Sequence, residues 1–427
     1  MSRIVFFDLE VDKKPEDIGA VDNSTNEFHS TRKSEFLNFL KDAEYLCGHN
    51  IFDHDLHYIK TTIEQSNVRK FIDTLYWSPL LFPNNPYHAL GKQYKIINDS
   101  DTNNPLFDSK LARRLLNDEV DAFDKLDSRL KSIYFWLLGQ NKNFINYTFG
   151  NNLKFKHFFE YVGYSPQDCS FAKCIQDIKT YFTGKICQNA DIESLVADNK
   201  TELAYSLAII NATEQHSITP PWVLRNFPRV ENIVFALRST KCLEGCDYCN
   251  TKLDPQKQLF RLFGYSNFRN YDGEPLQQQA ATSALLGKSL LAIFPTGGGK
   301  SIAFQLPALV QGEVLHGLTV VISPLQSLMK DQVDNLASKS ITEAVAINSS
   351  LDPIDKKDAM QRVESGQVSL LYLSPESLRN KSIETLLLKR TIVRFVIDEA
   401  HCFSSWGQDF RVDYLFIGDC YGRIGLS

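Results

Sequence analysis

Phe294-Pro-Thr-Gly-Gly-Gly-Lys300-Ser301 decides how this chain is read. Ahead of it, Leu290-Leu-Ala-Ile-Phe294 is an apolar run that predicts a buried parallel strand, and Ser301-Ile-Ala-Phe-Gln-Leu-Pro predicts the opening of a helix. A glycine-rich loop between a strand and a helix lets backbone N–H groups close around phosphate at the helix N-terminus. In that frame Thr296, Gly297, Gly298 and Gly299 cradle the phosphates of ATP, Lys300 reaches the β- and γ-phosphates, and the Ser301 hydroxyl ligates Mg²⁺. Phe294 stands where the strict pattern has its first glycine, so the generic motif is matched loosely.

The residues C-terminal to the loop point the same way. Gly317-Leu-Thr-Val-Val-Ile-Ser323 and Val368-Ser-Leu-Leu-Tyr-Leu-Ser374 are further apolar strands running into Ser-Pro, and Val393-Arg-Phe-Val-Ile397 delivers Asp398-Glu399 at its C-terminal end. Acidic residues there are placed to hold Mg²⁺, through Asp398, and to polarise an attacking water, through Glu399. Strands alternating with helices, with chemistry on the loops at their C-terminal ends, make a parallel α/β sheet.

On the strength of these residues, Phe263 to Tyr414 resembles the first RecA-like lobe of a RecQ-type DEAH helicase of superfamily 2. Phe263-Gly-Tyr-Ser-Asn-Phe-Arg269 resembles that family's adenine-recognising element, with Gln277 as its glutamine after a longer spacer than the pattern has. Ser323-Pro-Leu-Gln-Ser-Leu-Met-Lys330-Asp-Gln332 resembles the segment that touches the DNA backbone, which gives Lys330 a DNA contact. The resemblance makes His401 the link between ATP and DNA. It makes Trp406, Phe410 and Arg411 an aromatic-rich loop that senses or stacks bases. It also implies a strand between the P-loop strand and the Asp-Glu strand, supplied later in the chain after a helix starting near Tyr414. No such pattern precedes Ser427. The expectation is an incomplete motor, a truncated or frameshifted product or a fragment, that binds ATP poorly, hydrolyses it very slowly and unwinds nothing unless another chain completes it.

The N-terminus carries a second chemistry. Ile4-Val-Phe-Phe7 predicts a strand, and Asp8 and Glu10 at i and i+2 share one face of an extended chain. Gly48-His-Asn-Ile-Phe-Asp53-His-Asp55 offers a third acid and Asn104-Pro-Leu-Phe-Asp108 a fourth. Four carboxylates from separate segments suit a pair of Mg²⁺ or Mn²⁺ ions that activate water and stabilise a leaving 3′ oxygen. Together these segments resemble the DnaQ-like 3′→5′ exonuclease family, which has an RNase H-like fold: Phe6-Phe-Asp8-Leu-Glu10 as its first motif, His49-Asn50 followed by Asp55 as its second, and Asp108 as the last ligand. Asp53 rivals Asp55 for the second position. The family's His or Tyr before the last acid is replaced by Asn103 or Asn104, leaving His88 as a candidate imidazole from elsewhere and a non-catalytic DNA-binding scaffold as the alternative.

The middle of the chain says less. Asp124 to Leu138 and Asp191 to Ile210 read as amphipathic helices, and Pro220-Pro221 marks a break. Cys242-Leu-Glu-Gly-Cys246-Asp-Tyr-Cys249 matches the cluster-binding spacing of radical S-adenosylmethionine enzymes, but those place it after the first strand of a barrel. A Zn²⁺ site with a fourth ligand from Cys187, His216 or another residue is the preferred reading, with free thiols and an iron–sulfur cluster left open.

The expected architecture is α/β: an RNase H-like exonuclease domain over 1–120, a mainly helical connecting region with the cysteines over 121–255, and an incomplete RecA-like lobe over 256–427. A net charge of −5 across 427 residues projects no global basic field, though local grooves, not net charge, hold nucleic acid. Asp8 interrupts any signal-peptide core, no apolar run approaches the ~18 residues of a membrane span, and nine cysteines without an export signal suggest reduced thiols. The expected partner is therefore DNA, as single strands and 3′ ends, with no membrane. The expected place is the cytoplasm, nucleoid-associated, or the nucleus of a eukaryote.

Overall fold

The computed structural model describes residues 2–11, 16–90, 104–139, 154–212, 218–242, 244–295, 297–348 and 351–400. Thr296, His401, Trp406, Phe410 and Arg411, together with Asn103 and His216, lie outside them. Two compact units emerge: Met1–Tyr181 with Ile192–Ala208, and Phe182–Asp191 with Ile209–Ser427. The residues expected to form a separate connecting region are divided between the two.

The first unit is built on a five-stranded sheet of β1 (Ile4–Glu10), β2 (Asp17–Asp22), β3 (Glu27–Ser30), β4 (Tyr45–Gly48) and β5 (Lys70–Asp73), in the order β3-β2-β1-β4-β5. β1 pairs antiparallel with β2 and parallel with β4, so it is central and its apolar residues are buried. A helix, Pro105–Lys125, lies across β1 and β2. Its start is written locally: the Asn104 side chain accepts from the N–H groups of Leu106 (3.1 Å) and Phe107 (3.3 Å), and Pro105 fills the first helical position. The helix runs unbroken past residue 120.

Gly19 on β2 sets how closely that helix approaches. A Cβ there would meet the Leu106 nitrogen at 2.0 Å and the Pro105 carbonyl carbon at 2.1 Å, so only glycine lets the helix start rest on the strand. The helical segments beyond it add an aromatic core around Trp77, whose ring stacks on Phe158 at 4.0 Å and meets Phe123, Phe155 and Phe159 edge-on. The amphipathic segment at 124–138 becomes a helix Ser128–Tyr134 capped by Asp127, followed by a wider turn Phe135–Gly139. The segment at 191–210 forms two helices, Ile192–Asp198 and Lys200–Asn211, broken at Asn199.

The second unit holds a parallel sheet of β6 (Leu318–Ile322), β7 (Ala344–Ile347), β8 (Leu370–Leu373) and β9 (Ile392–Ile397), in the order β7-β8-β6-β9. Its strands are near-continuous apolar runs because helices cover both faces. Leu318, Val320 and Ile322 pack into one core with Ala359, Val363 and Leu386, while Val321 faces the other with Leu306, Leu309 and Met329.

One expectation fails in this unit. Leu290–Phe294 is not a strand, and Leu291 and Ile293 are 76% and 79% exposed. A parallel strand exists only by pairing. Among the described residues nothing pairs with this segment, and the sheet stops at β9, whose residues after Ile392 are only partly buried or, at Ile397, exposed.

His316 closes the Lys300–Leu315 helix at φ 55°, a left-handed position, and is buried facing Arg238 and Arg390. Desolvation, then those two cations, lowers its pKa from 6.5 to about 3. An imidazole depressed in this way stabilises the fold above pH 6.5 and withdraws that contribution as pH falls toward 3. His316→Asn keeps a residue that tolerates left-handed backbone and removes the titration. Its stability difference between pH 8 and pH 5, from denaturant melts, is expected to be smaller than the parent's by about 2 kcal/mol. An equal acid loss in both proteins would refute it.

Candidate functional site

In the first unit, β1 carries Asp8 and Glu10 as its two partly buried positions on either side of the buried Leu9, and the close-packed helix start delivers Asp108 to the same place. Asp8, Glu10 and Asp108 each bring a carboxylate oxygen within 4.8 Å of the others. Asp55, expected as a fourth ligand, is not in that set: it is nearly fully buried, and its Oδ1 accepts from the N–H of Leu9, the residue between the two β1 acids, at 3.1 Å. Burial pushes the Asp55 carboxyl above its ordinary value, against the opposing pull of His54 and the Leu9 N–H. Asp53, its rival, turns elsewhere: its oxygens accept from Tyr76 Oη at 2.9 and 3.1 Å and lie 3.4 Å from Lys154 Nζ.

The turn that presents Asp55 is held from below. Asp73, at the end of β5, accepts from the N–H groups of Asn50 (2.8 Å), Phe52 (3.0 Å) and Leu75 (3.0 Å). Its complete burial raises its pKa to about 7. Sequence reasoning misses Asp73 because a buried strand-end acid has no local signature. It also misses His54, whose Nδ1 lies 3.5 Å from Asp55 Oδ1 on a half-exposed side chain. His88 is buried, paired through Nδ1 with Ser78 Oγ at 2.8 Å, and desolvation with the neighbouring His49 lowers its pKa to about 3. An imidazole so placed packs the interior and is a poor proton acceptor near neutrality. The acid cluster is a hard oxygen donor set, which fits Mg²⁺ or Mn²⁺.

In the second unit, Gly297 and Gly299 take φ of 74° and 70°, bending the loop into the Lys300–Leu315 helix. The loop's carbonyls are gripped by the segment just before it in sequence. Arg269 Nη1 donates to Gly297 O at 2.8 Å, Tyr271 Oη to Gly298 O, and Gln277 Nε2 to Gly299 O at 2.8 Å; Gln277 Oε1 in turn accepts from Arg269 N at 2.9 Å. With its carbonyls held this way, the loop's outward conformation is fixed from behind. Tyr271 escapes sequence reasoning because its role depends on where the loop folds back. Ser301 sits in the first helical turn.

At the sheet's C-terminal edge, Ser323 Oγ lies 3.4 Å from Asp398 Oδ2, Asp398 N donates to Ile322 O at 2.9 Å, and Lys300 Nζ stands 3.8 Å from Glu399 Oε1. Burial, then the Glu399 charge, raises the Asp398 pKa. The loop, the lysine and the acid pair therefore converge, and Ser301 with Asp398 offers hard oxygen donors suited to the magnesium of a nucleotide. Lys330 is exposed on the Gln326–Ala337 helix, whose Met329 is buried. Cys242, Cys246 and Cys249 gather with Cys187, their four sulfurs within 4.8 Å of one another.

Residues 274–420 match the DEAD/DEAH box helicase family, so this part of the chain carries a helicase domain of that class. Its relatives are of the RecQ family. A probable ATP-dependent DNA helicase RecS of Bacillus subtilis is 40% identical over 175 residues, covering 41% of this chain and 33% of that protein. The ATP-dependent DNA helicase RecQ of Haemophilus influenzae is 43% identical over 160 residues, covering 38% and 24%. The ATP-dependent helicase SGS1 of Saccharomyces cerevisiae is 40% identical over 162 residues, covering 37% and 11%. The chain spans a third or less of the length of these relatives. No described helix is long and apolar enough to cross a membrane.

Proposed function

We propose that this chain is a DNA repair or recombination protein that joins a metal-dependent 3′→5′ exonuclease of the DnaQ-like type, on an RNase H-like sheet, to a RecQ-type ATP-binding helicase lobe. The observation that carries the exonuclease is the convergence of Asp8, Glu10 and Asp108, with Asp55 bonded to the backbone between the first two. Divalent ions held there would activate water and stabilise the leaving 3′ oxygen. Asp55 fixes the β1 backbone that bears two of the acids, and Asp73 fixes the turn that bears Asp55. His54, beside Asp55, offers the imidazole that Asn103 and Asn104 leave missing. The lobe's role rests on its similarity to RecQ-family helicases and on Lys300 meeting Glu399 at the loop. Nucleotide binding is the step its residues support, with DNA single strands and 3′ ends as the substrate of the whole.

The exonuclease is tested with 3′-overhang DNA labelled at its 5′ end, incubated with Mg²⁺ or Mn²⁺. A ladder shortening from the 3′ end supports it. Folded protein that binds this DNA and digests none with either ion would leave the non-catalytic binding module. For the lobe, Lys300→Ala removes a charge-assisted contact to phosphate worth about 1.5–3 kcal/mol, so affinity for a fluorescent ATP analogue is expected to fall about 10- to 100-fold. Unchanged affinity would reject the loop as the nucleotide site.

A further inference from the structure

The four gathered cysteines belong to neither proposed activity. Cys242, Cys246 and Cys249 come from one short stretch, and Cys187 comes from the Phe182–Asp191 segment, which joins the second unit although residues on both sides of it belong to the first. The Cys187 and Cys246 sulfurs are 3.8 Å apart. That is far beyond the ~2.05 Å of a disulfide. It equals the edge, about 3.8 Å, of a tetrahedron of sulfurs around a metal with bonds of ~2.3 Å. Cys187, Cys246 and Cys249 are buried and Cys242 is partly buried, with Tyr248, Ala190 and Leu253 around them, and four thiolates fill a tetrahedral shell, leaving no open position for substrate.

The surrounding backbone is arranged for thiolates. Cys246 N–H donates to Cys242 Sγ at 3.3 Å, and Asn189 Nδ2 donates to the same sulfur at 3.4 Å. The turn that allows the first of these passes through Gly245 at φ 66°. Such N–H···S bonds orient metal-bound thiolates and offset their charge. Cys187 is fixed from its own backbone, its N–H donating to Leu237 O at 2.8 Å. A four-iron cluster puts a separate iron on each cysteine and spreads the sulfurs by its own width, which this compact set does not provide.

We propose that Cys187, Cys242, Cys246 and Cys249 bind one structural Zn²⁺ as a closed tetrathiolate, and that this ion clips the Phe182–Asp191 segment into the helicase-bearing unit. Metal analysis of the purified, desalted full chain is expected to find one zinc per chain. Titration with a mercurial thiol reagent is expected to release it. In Cys246→Ser the zinc content falls roughly tenfold or more, whereas Cys169→Ser, remote from the cluster in sequence, keeps it. Should Cys246→Ser prove insoluble, the wild-type chain refolded with Co²⁺ supplies the second measurement: intense thiolate-to-cobalt absorption with tetrahedral d–d bands supports the site. Chelation is expected to raise amide exchange in 182–191 and 242–253 while β6 and β8 stay protected. Iron with a brown chromophore, or a folded metal-free chain whose four thiols all react as free groups, would overturn the proposal, as would a cobalt spectrum without thiolate bands.

Discussion

Asp8→Ala should abolish 3′-end digestion, lowering the rate by more than ~100-fold, since even partners that only orient metal ligands are worth 10- to 100-fold. The loss should come without unfolding, because Asp8 is only partly buried while the apolar residues of its strand carry the core. The sharper contrast lies between two acids two residues apart. Asp55→Asn keeps a side-chain oxygen for the Leu9 N–H but gives up the charge held against the backbone between Asp8 and Glu10, so the rate should fall at least tenfold while the melting temperature holds. Asp53→Asn loses a partner of Tyr76 and Lys154, away from that backbone, and should stay within a few-fold of the parent rate, as most substitutions outside a site do. Gel assays on the three variants decide it. Parent-like digestion by Asp8→Ala would end the exonuclease reading, and a greater loss in Asp53→Asn than in Asp55→Asn would move the second motif to Asp53.

The parts of this molecule that were legible in its sequence are those whose signal is local. Asp8 and Glu10 share a face because a strand alternates, and Asp398-Glu399 end a strand because an apolar run stops there. Lys300 opens a helix because glycines precede it. The hidden parts depend on partners far along the chain. Leu290–Phe294 is as apolar as β6, yet an apolar run does not say whether a neighbouring strand is there to pair with it. Cys187 was one of several possible fourth ligands, since nothing near it in sequence marks it apart from the other cysteines. The division of the middle region between the two units was likewise illegible. The Pro105–Lys125 helix carries one amphipathic pattern through residue 120, and the aromatic residues that bind 155–159 to Trp77 show no pairing until they are folded. Tyr271 reads as an ordinary surface residue, and Arg269 only as the end of the adenine-recognising segment, until the glycine loop is seen resting its carbonyls on them.

Replacing Gly19 with valine should damage the candidate nuclease site without touching any acid in it. Gly19 does not need a left-handed backbone, so the effect is purely one of space. The atoms a side chain would strike are the backbone of Pro105 and Leu106, which cannot rotate aside as a flexible side chain would. The helix start must therefore lift from β2, and Asp108, in the first turn, moves with it while Asp8 and Glu10 stay on β1. Overpacking of this kind costs about 1–3 kcal/mol. For a unit of this size that lowers the melting temperature by roughly 2–4 °C per kcal/mol. The rate should fall further than the stability loss explains, because a displacement of about 1 Å in a catalytic group is worth on the order of 100-fold. Digestion measured well below the melting transition separates the two effects, and ATP-analogue binding by the second unit serves as the internal control. A Gly19→Val protein that melts and digests like the parent would mean that the helix start does not hold Asp108 against β1.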